Sequence, residues 1–428
     1  MFNAQHFSSL PALEVRLRHR RIPRGRRIEI VRNMVPLPGP GECVVRPSAS
    51  TVCGSDMNTV IGHKHIGEPA SVRLGHEMVG VIAKVGPGVT RLHAGDFVVL
   101  KPHAYAAEHA SCARAGQIFT YQCQGRGCTQ HAGFSWDGAF CSEGTFPAAQ
   151  LEVVHQELIA ITEASDTLPR AAAFSLVEPV ACCRSATFEI EKAFAAVAGN
   201  PRDAFTQDVL ILGTGPIGVI TAQVLLDHGC TSVVLKDVLA HRASMAEWVL
   251  SDPRVRRFDP ALDEEHRFRL VMASANCPTT IPEAEVRVAP RGMIYLLSGL
   301  NAAGREIRDY SGAWHYEDLH RNGAWAYSES EHHPRIVGGH SGYAETIFED
   351  SARWVTEANH LPILDRLITH YIPGIESPQM ISRFPHITPS WTTPDRSPAL
   401  GAILHRAVPT EHLGMKVALL PQRDAVSA

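Results

Sequence analysis

The chain has 428 residues, of which 45% are hydrophobic and 20% charged, with a formal net charge of −4. That balance excludes collagen, coiled-coil and disordered classes, and it supplies no global positive field for nucleic acid. No apolar run reaches the roughly 18–20 residues of a membrane helix, and the first residues lack the order of a secretory signal, so the default expectation is a cytoplasmic protein. Ten cysteines in a chain of this size read as thiols, with a few candidate metal ligands, rather than as a disulfide scaffold.

Seven arginines crowd the stretch from Arg16 to Arg27. It reads as a solvated strand edge or hairpin, or else as a basic rim for an anionic partner. The next hundred residues hold short β-type runs, IEIVRN, ECVVRPSAS, HEMVGVIAKVG and DFVVLKP, separated by Pro and Gly turns. Such spacing predicts a compact β-rich unit. From His103 to Trp136 sustained periodicity is missing, which predicts a long loop or lobe. After about Phe205 strands and helices alternate: DVLIL, VITAQVLLDHG, TSVVLKD, RASMAEWVLSD, RLVMAS and RGMIYLLSGL. That alternation predicts a doubly wound parallel sheet, α/β in class. A helical stretch, YAETIFEDSARWVTEA, a Pro-rich passage and a returning strand, KVALLP, complete the chain.

Gly213, Gly215 and Gly218 form G-x-G-x-x-G directly after DVLIL, with Pro216 and Ile217 opening the next helix. The first glycine allows a tight turn, the second a close approach of backbone to a pyrophosphate, and the third a close approach of helix to strand. The helix N-terminus adds unpaired N–H groups for phosphate. Asp237 ends the following strand about 20 residues beyond the last glycine, where a carboxylate accepts hydrogen bonds from the adenosine ribose. It also repels a 2′-phosphate, which favours NAD, although Arg242 is a residue type that accommodates such a phosphate. Ser298 and Gly299, at the end of RGMIYLLSGL, are further candidate cofactor contacts.

Upstream, TVCGSDMN places Cys53, Ser55 and Asp56 together, RLGHEMVG sets His76 beside Glu77, and SLVEPVACC carries Glu178. Thiolate, imidazole and carboxylate suit Zn²⁺, and a catalytic zinc needs three protein ligands with one position open. C-G-S-D, G-H-E, E-P and G-x-G-P-I-G in this order resemble the medium-chain, zinc-dependent alcohol dehydrogenase family, and most closely its polyol and threonine dehydrogenase branch. The resemblance implies a GroES-like β-rich catalytic domain built from residues 1–181 and 341–428, with a Rossmann NAD-binding domain over 182–340. It further implies zinc on Cys53, His76 and Glu178, with Glu77 able to exchange into the metal shell, Asp56 orienting His76, and Ser55 passing the substrate proton outward. Hydride would then move between a secondary alcohol (a polyol, cyclitol, amino alcohol or sugar derivative) and NAD. A homodimer or homotetramer acting on a small molecule is expected, without nucleic acid or membrane.

Three departures from that family stand out. Its structural zinc lobe spaces four cysteines as C-x₂-C-x₂-C-x₇-C, whereas Cys112, Cys123, Cys128 and Cys141 are separated by ten, four and twelve residues. The simplest expectation is a lobe rebuilt by packing, His109 and His131 being the alternative partners for a different site. Asn58 stands where relatives carry a relay histidine, and Ala275 where they often carry glycine. An insertion rich in aromatic and histidine residues, including Trp314, His315, Tyr316, His320, Trp325, His332 and His333, reads as a pocket wall or a subunit contact. Two other readings use the same residues: a zinc enzyme that oxidises and re-reduces its substrate during elimination or epimerisation, and a non-catalytic NAD-binding protein.

Overall fold

The computed structural model describes residues 7–19, 26–61, 71–105, 129–154, 170–198, 205–275, 277, 279–297, 325–326, 335–337, 345–357, 359–373, 404–405 and 416–420. Two large sheets organise them. The first combines β3 (Glu42–Thr51), β5 (Glu77–Val85), β6 (Phe97–Leu100), β9 (Gly144–Pro147) and β10 (Leu151–Val153) with three strands from the other end of the sequence: β18 (Ile368–Pro373), β19 (Leu404–His405) and β20 (Lys416–Leu420). Its order is β10-β6-β5-β3-β20-β18-β19, with β9 also on β3. Ala418 pairs with Thr51 and Leu419 with Ser50, so the two ends of the chain meet in one sheet.

The second sheet runs β13 (Val255–Arg257), β12 (Ser232–Lys236), β11 (Asp208–Leu212), β14 (Phe268–Ala273), β15 (Val288–Leu296), β17 (Arg335–Val337) and β16 (Trp325–Ala326). All are parallel except β16, which pairs antiparallel with β17 at the edge. Counted within the sheet, the parallel strands lie in the order 3-2-1-4-5-6. The order reverses between β11 and β14, where a crevice opens at the strands' carboxyl ends. Val, Leu and Ile fill β11 and β12 almost without interruption, as burial on both faces demands. Helix Pro216–Asp227, buried along nearly its whole length, covers this sheet. The segment Arg170–Leu176, continuing as helix Val177–Ala198, packs on β3 and β5 at its start and on helix Pro216–Asp227 further along, which joins both sheets through one apolar core. Among the described residues no helix is long and apolar enough to cross a membrane.

The arginine-rich segment forms a hairpin over its described part. β1 (Phe7–His19) pairs antiparallel with β2 (Arg26–Pro36), Arg16 facing Glu29. Arg16 is bound to Glu14 at 2.7 Å and to Asp137, and the buried Arg73 also reaches Glu14, at 2.8 Å. Burial opposes ionisation of Glu14, but Arg73 and hydrogen bonds from Arg16 and Asn33 hold its carboxyl below the usual range. Arg16 is thus part of a closed ion network.

A second network ties helix Pro216–Asp227 to the helices Glu345–Thr356 and Leu361–Leu367. His360 stacks on Trp354 at 3.7 Å and donates Nδ1–H to the Trp354 carbonyl, while its Nε2 lies 2.9 Å from Asp227. With both ring nitrogens facing acceptors the imidazolium is the favoured form. Burial pushes His360 down, but Asp227 and the Trp354 carbonyl outweigh it and hold the ring above its ordinary value of 6.5. Burial likewise raises Asp227, yet His360, Trp354 and Gln223 together bring it below 3.8. A raised histidine stabilises the fold fully below its unfolded value and loses that contribution as pH rises through the folded one. A lowered aspartate contributes above its unfolded value and fails as pH falls. The pair is therefore most stabilising between about pH 4 and 6.5. Urea unfolding of His360→Asn should show a deficit of about 1 kcal/mol near pH 5.5 that narrows near pH 9.

Candidate active site

Cys53 follows β3 and caps helix Gly54–Ile61. Asp56, three residues on, accepts the Cys53 backbone N–H at 3.0 Å, the return half of a capping box. The second Asp56 oxygen lies 3.2 Å from His76 Nδ1, so one carboxylate sets both the start of the helix and the ring's orientation. His76 Nε2 is left facing Ser55 Oγ at 3.3 Å, and the Ser55 hydroxyl also lies 3.2 Å from Cys53 Sγ.

The turn that aims His76 depends on Gly75. Its φ is +92°, and a Cβ there would fall 2.3 Å from the Phe140 ring. Burial alone would push His76 down, but Asp56 and Cys53 hold it well above the ordinary value.

Ligating atoms of Cys53, His76 and Glu77 all lie within 4.8 Å of one another. Glu178 stands beside this group, in the first turn of helix Val177–Ala198. It is buried, and its carboxyl is pushed up by burial, with His76 opposing and Glu77 adding to the effect. Cys182, one turn along, donates to Glu178 at 3.5 Å. The sequence reading grouped Glu178 with Cys53 and His76, whereas in the structure the tight cluster includes Glu77. Both Glu77 oxygens also have partners beyond the cluster's three residues: Lys416 Nζ lies 2.7 Å from each, and Thr51 Oγ1 donates to one. The donor set fits a borderline-soft divalent ion, with imidazole already oriented through its second nitrogen.

At the crevice between β11 and β14, Gly213 has φ +94°, and a Cβ on it would fall 2.4 Å from the Cβ of Ala275. A Cβ on Gly218 would fall 2.0 Å from the Gly213 carbonyl oxygen. Nothing lies within 4 Å of a Cβ built on Gly215, the cap of helix Pro216–Asp227. The backbone there borders open space, as phosphate binding at a helix N-terminus requires. Asp237 accepts from the Thr214 N–H at 2.8 Å and the Leu239 N–H at 2.9 Å, fixing the glycine turn from the neighbouring strand end. Arg242 is lowered by burial, against the pull of Asp237.

Residues 39–156 match the alcohol dehydrogenase GroES-like domain family. L-threonine 3-dehydrogenase of Pyrococcus horikoshii is 25% identical over 279 residues, 63% of this chain and 72% of that protein. The chain is thus similar to medium-chain alcohol dehydrogenases. Sorbitol dehydrogenase of Halalkalibacterium halodurans is 30% identical over 200 residues, 46% of this chain and 50% of its own. A protein of Sinorhizobium meliloti described as a zinc-binding dehydrogenase, solved with NADP, superimposes with a TM-score of 0.65 at 20% identity, over 96% of this chain and 99% of its own. The first sheet is thus a GroES-like unit and the second a Rossmann sheet.

Several residues expected from sequence lie outside the described set: Ser298, Gly299, Cys112, Cys123, Cys128, His109, Trp314, His315, Tyr316, His320, His332 and His333. Cys141 is fully buried in the core of the first sheet, its thiol pushed up to about 11 by burial. Among the described residues no second metal-ligating group accompanies it. Sequence reasoning missed Lys416, Thr51, Ser175 and Cys182. It considered His131 only for the lobe and did not name Phe134; their rings lie 5.3 and 5.2 Å from that of His76. A lysine opening an otherwise apolar strand, KVALL, was the available signal for the first.

Proposed function

We propose that the chain is a zinc- and NAD-dependent dehydrogenase of secondary alcohols, acting on a polyol, cyclitol, amino alcohol or sugar derivative. The observation that carries this reading is the convergence of Cys53 and His76 with Asp56 behind the imidazole and Glu178 alongside. Residues 1–181 and 341–428 form the catalytic unit and 182–340 the coenzyme unit, with the reaction in the gap between them. Cys53, His76 and Glu178 hold the metal. Zinc bound there supplies a Lewis acid that lowers the cost of removing an alcohol's proton near neutral pH. Ser55, within hydrogen-bond reach of both Cys53 and His76, receives that proton and passes it outward. Gly213, Gly215 and Gly218, with Pro216 and Ile217 at the helix start, would cradle the pyrophosphate of NAD, a coenzyme that would supply the hydride acceptor. Asp237 orients the adenosine ribose and disfavours a 2′-phosphate, and Arg242 lies near enough to feel its charge.

The test is a metal assay beside an NAD reduction screen over polyols, amino alcohols and aminocyclitols. The reading expects zinc at about one per chain and NADH accumulating with at least one substrate class. Substrate consumed without net NADH would replace it with transient oxidation, and coenzyme binding without any metal would replace it with a non-catalytic role. In the same assay Asp237→Gly should weaken NAD by about tenfold while sparing NADP, the scale of one hydrogen bond to a charged group. Unchanged NAD affinity would remove Asp237 from the coenzyme site.

A further inference from the structure

Three buried carboxylates stand at the cluster, and they differ in how they are held. Asp56 is bound by the Cys53 N–H and the His76 ring, and Glu77 by Lys416 and Thr51. Glu178 is only 7% exposed, yet among the described residues one side chain alone donates to it: the Cys182 thiol, 3.5 Å from Oε1. A carboxylate accepts at about four positions, and a buried one with a single weak donor is left short of positive charge. Its second oxygen accepts from none of the described residues, as suits a group that turns to a metal ion.

Helix geometry makes Cys182 that donor. It lies four residues beyond Glu178 in helix Val177–Ala198, where side chains i and i+4 stand on one face. The adjacent Cys183 points elsewhere: its sulfur lies 3.4 Å from Thr221 Oγ1 and 3.7 Å from the Ile217 carbonyl oxygen, both on helix Pro216–Asp227. Of two neighbouring thiols, one thus serves the buried acid and the other the packing of two helices. We propose that Cys182 is a positioning residue: its S–H fixes one oxygen of Glu178 so that the other stays turned to an ion held by Cys53 and His76. This rests on the metal reading given above, and it stands equally with Glu77 among the ligands.

The test uses the full-length, coenzyme-free protein loaded with Co²⁺, read by visible absorption and by the rate of cobalt loss to a chelator. In the wild type a thiolate-to-cobalt band is expected. Cys182→Val removes the donor at similar volume; it should speed cobalt loss by about tenfold and shift the cobalt bands, the scale for losing a group that orients a ligand. The Cys53 thiolate band should persist. Cys182→Ser, whose hydroxyl donates, should stay within about twofold of the wild type, and so should Cys183→Ala, which alters the same helix turn but not the Glu178 bond. In a Glu178→Ala background, where Cys53, His76 and Glu77 still hold the ion, Cys182→Val should add nothing, since a residue that acts through another has no effect once that partner is gone. Wild-type bands and cobalt retention in Cys182→Val would overturn the proposal, as would an effect undiminished in Glu178→Ala. A thiolate band weakened by Cys182→Ser would also overturn it, because Cys182 would then be a ligand itself. If Cys182→Val does not fold, Cys182→Ala removes the same donor and the same comparisons decide. A wild-type protein that takes up no cobalt overturns the metal reading itself, whereas normal bands with an unresponsive Cys182→Val overturn only the role given to Cys182.

Discussion

Cys53→Ser and His76→Ala should each lower turnover by at least about 10³-fold, since losing the metal forfeits several kcal/mol of charge stabilisation in the reaction. NAD affinity, measured by fluorescence titration, should stay within about twofold, because the glycine turn at Gly213–Gly218 belongs to a different sheet. The two substitutions should differ in what they leave behind. His76→Ala also deprives Asp56 of its imidazole partner, leaving a buried carboxylate that still holds the helix start through the Cys53 N–H. A stability loss is therefore expected for His76→Ala and less for Cys53→Ser. Full turnover in metal-free protein would reject the assignment of these residues.

The second large effect is expected at Gly218. Alanine there brings a methyl carbon to 2.0 Å from the Gly213 carbonyl oxygen, and backbone cannot swing aside as a flexible side chain does. Helix Pro216–Asp227 must move off β11, at a cost of about 1–3 kcal/mol, the range for overpacking a dense interior. The helix start is also the proposed phosphate cradle, so NAD affinity should fall by at least about tenfold, well beyond what the stability loss alone would produce. Gly215→Ala is the control. Its Cβ meets nothing within 4 Å, so stability should hold while coenzyme binding suffers. Equal coenzyme affinity for both variants and the wild type would place the dinucleotide elsewhere.

The parallel sheet was legible because its strands are apolar runs broken by glycine turns and helices, and the structure returns them in the order expected of a dinucleotide fold. Local spacing set Cys53 beside Ser55 and His76 beside Glu77, because capping and strand pairing act over a few residues, but it offered Glu178 as the third ligand where the structure clusters Glu77 with Cys53 and His76. β1 was read as strand or hairpin only from Arg16 on. Its alternation is clear in Leu13, Val15 and Leu17, but Glu14 is buried too, and the distant Arg73 and Asn33, together with Arg16, make that burial tolerable. Lys416 escaped for the same reason. An ion pair between residues 339 positions apart has no periodicity, and a lysine that opens a strand ordinarily faces solvent. Groups whose environment is assembled only by tertiary contact stay invisible until that contact is known.

Lys416 reaches Glu77 from a strand near the far end of the sequence, which sets an order of events during synthesis. A ribosome has released β3, β5 and the Cys53 loop long before β20 emerges, so Glu77 in the nascent chain faces the thiol and imidazole without its ammonium partner. The pocket therefore acquires its final charge balance only as β20 docks on β3, and a ribosome stalled before that point would hold a chain in which Cys53, His76 and Glu77 are present but electrostatically unfinished.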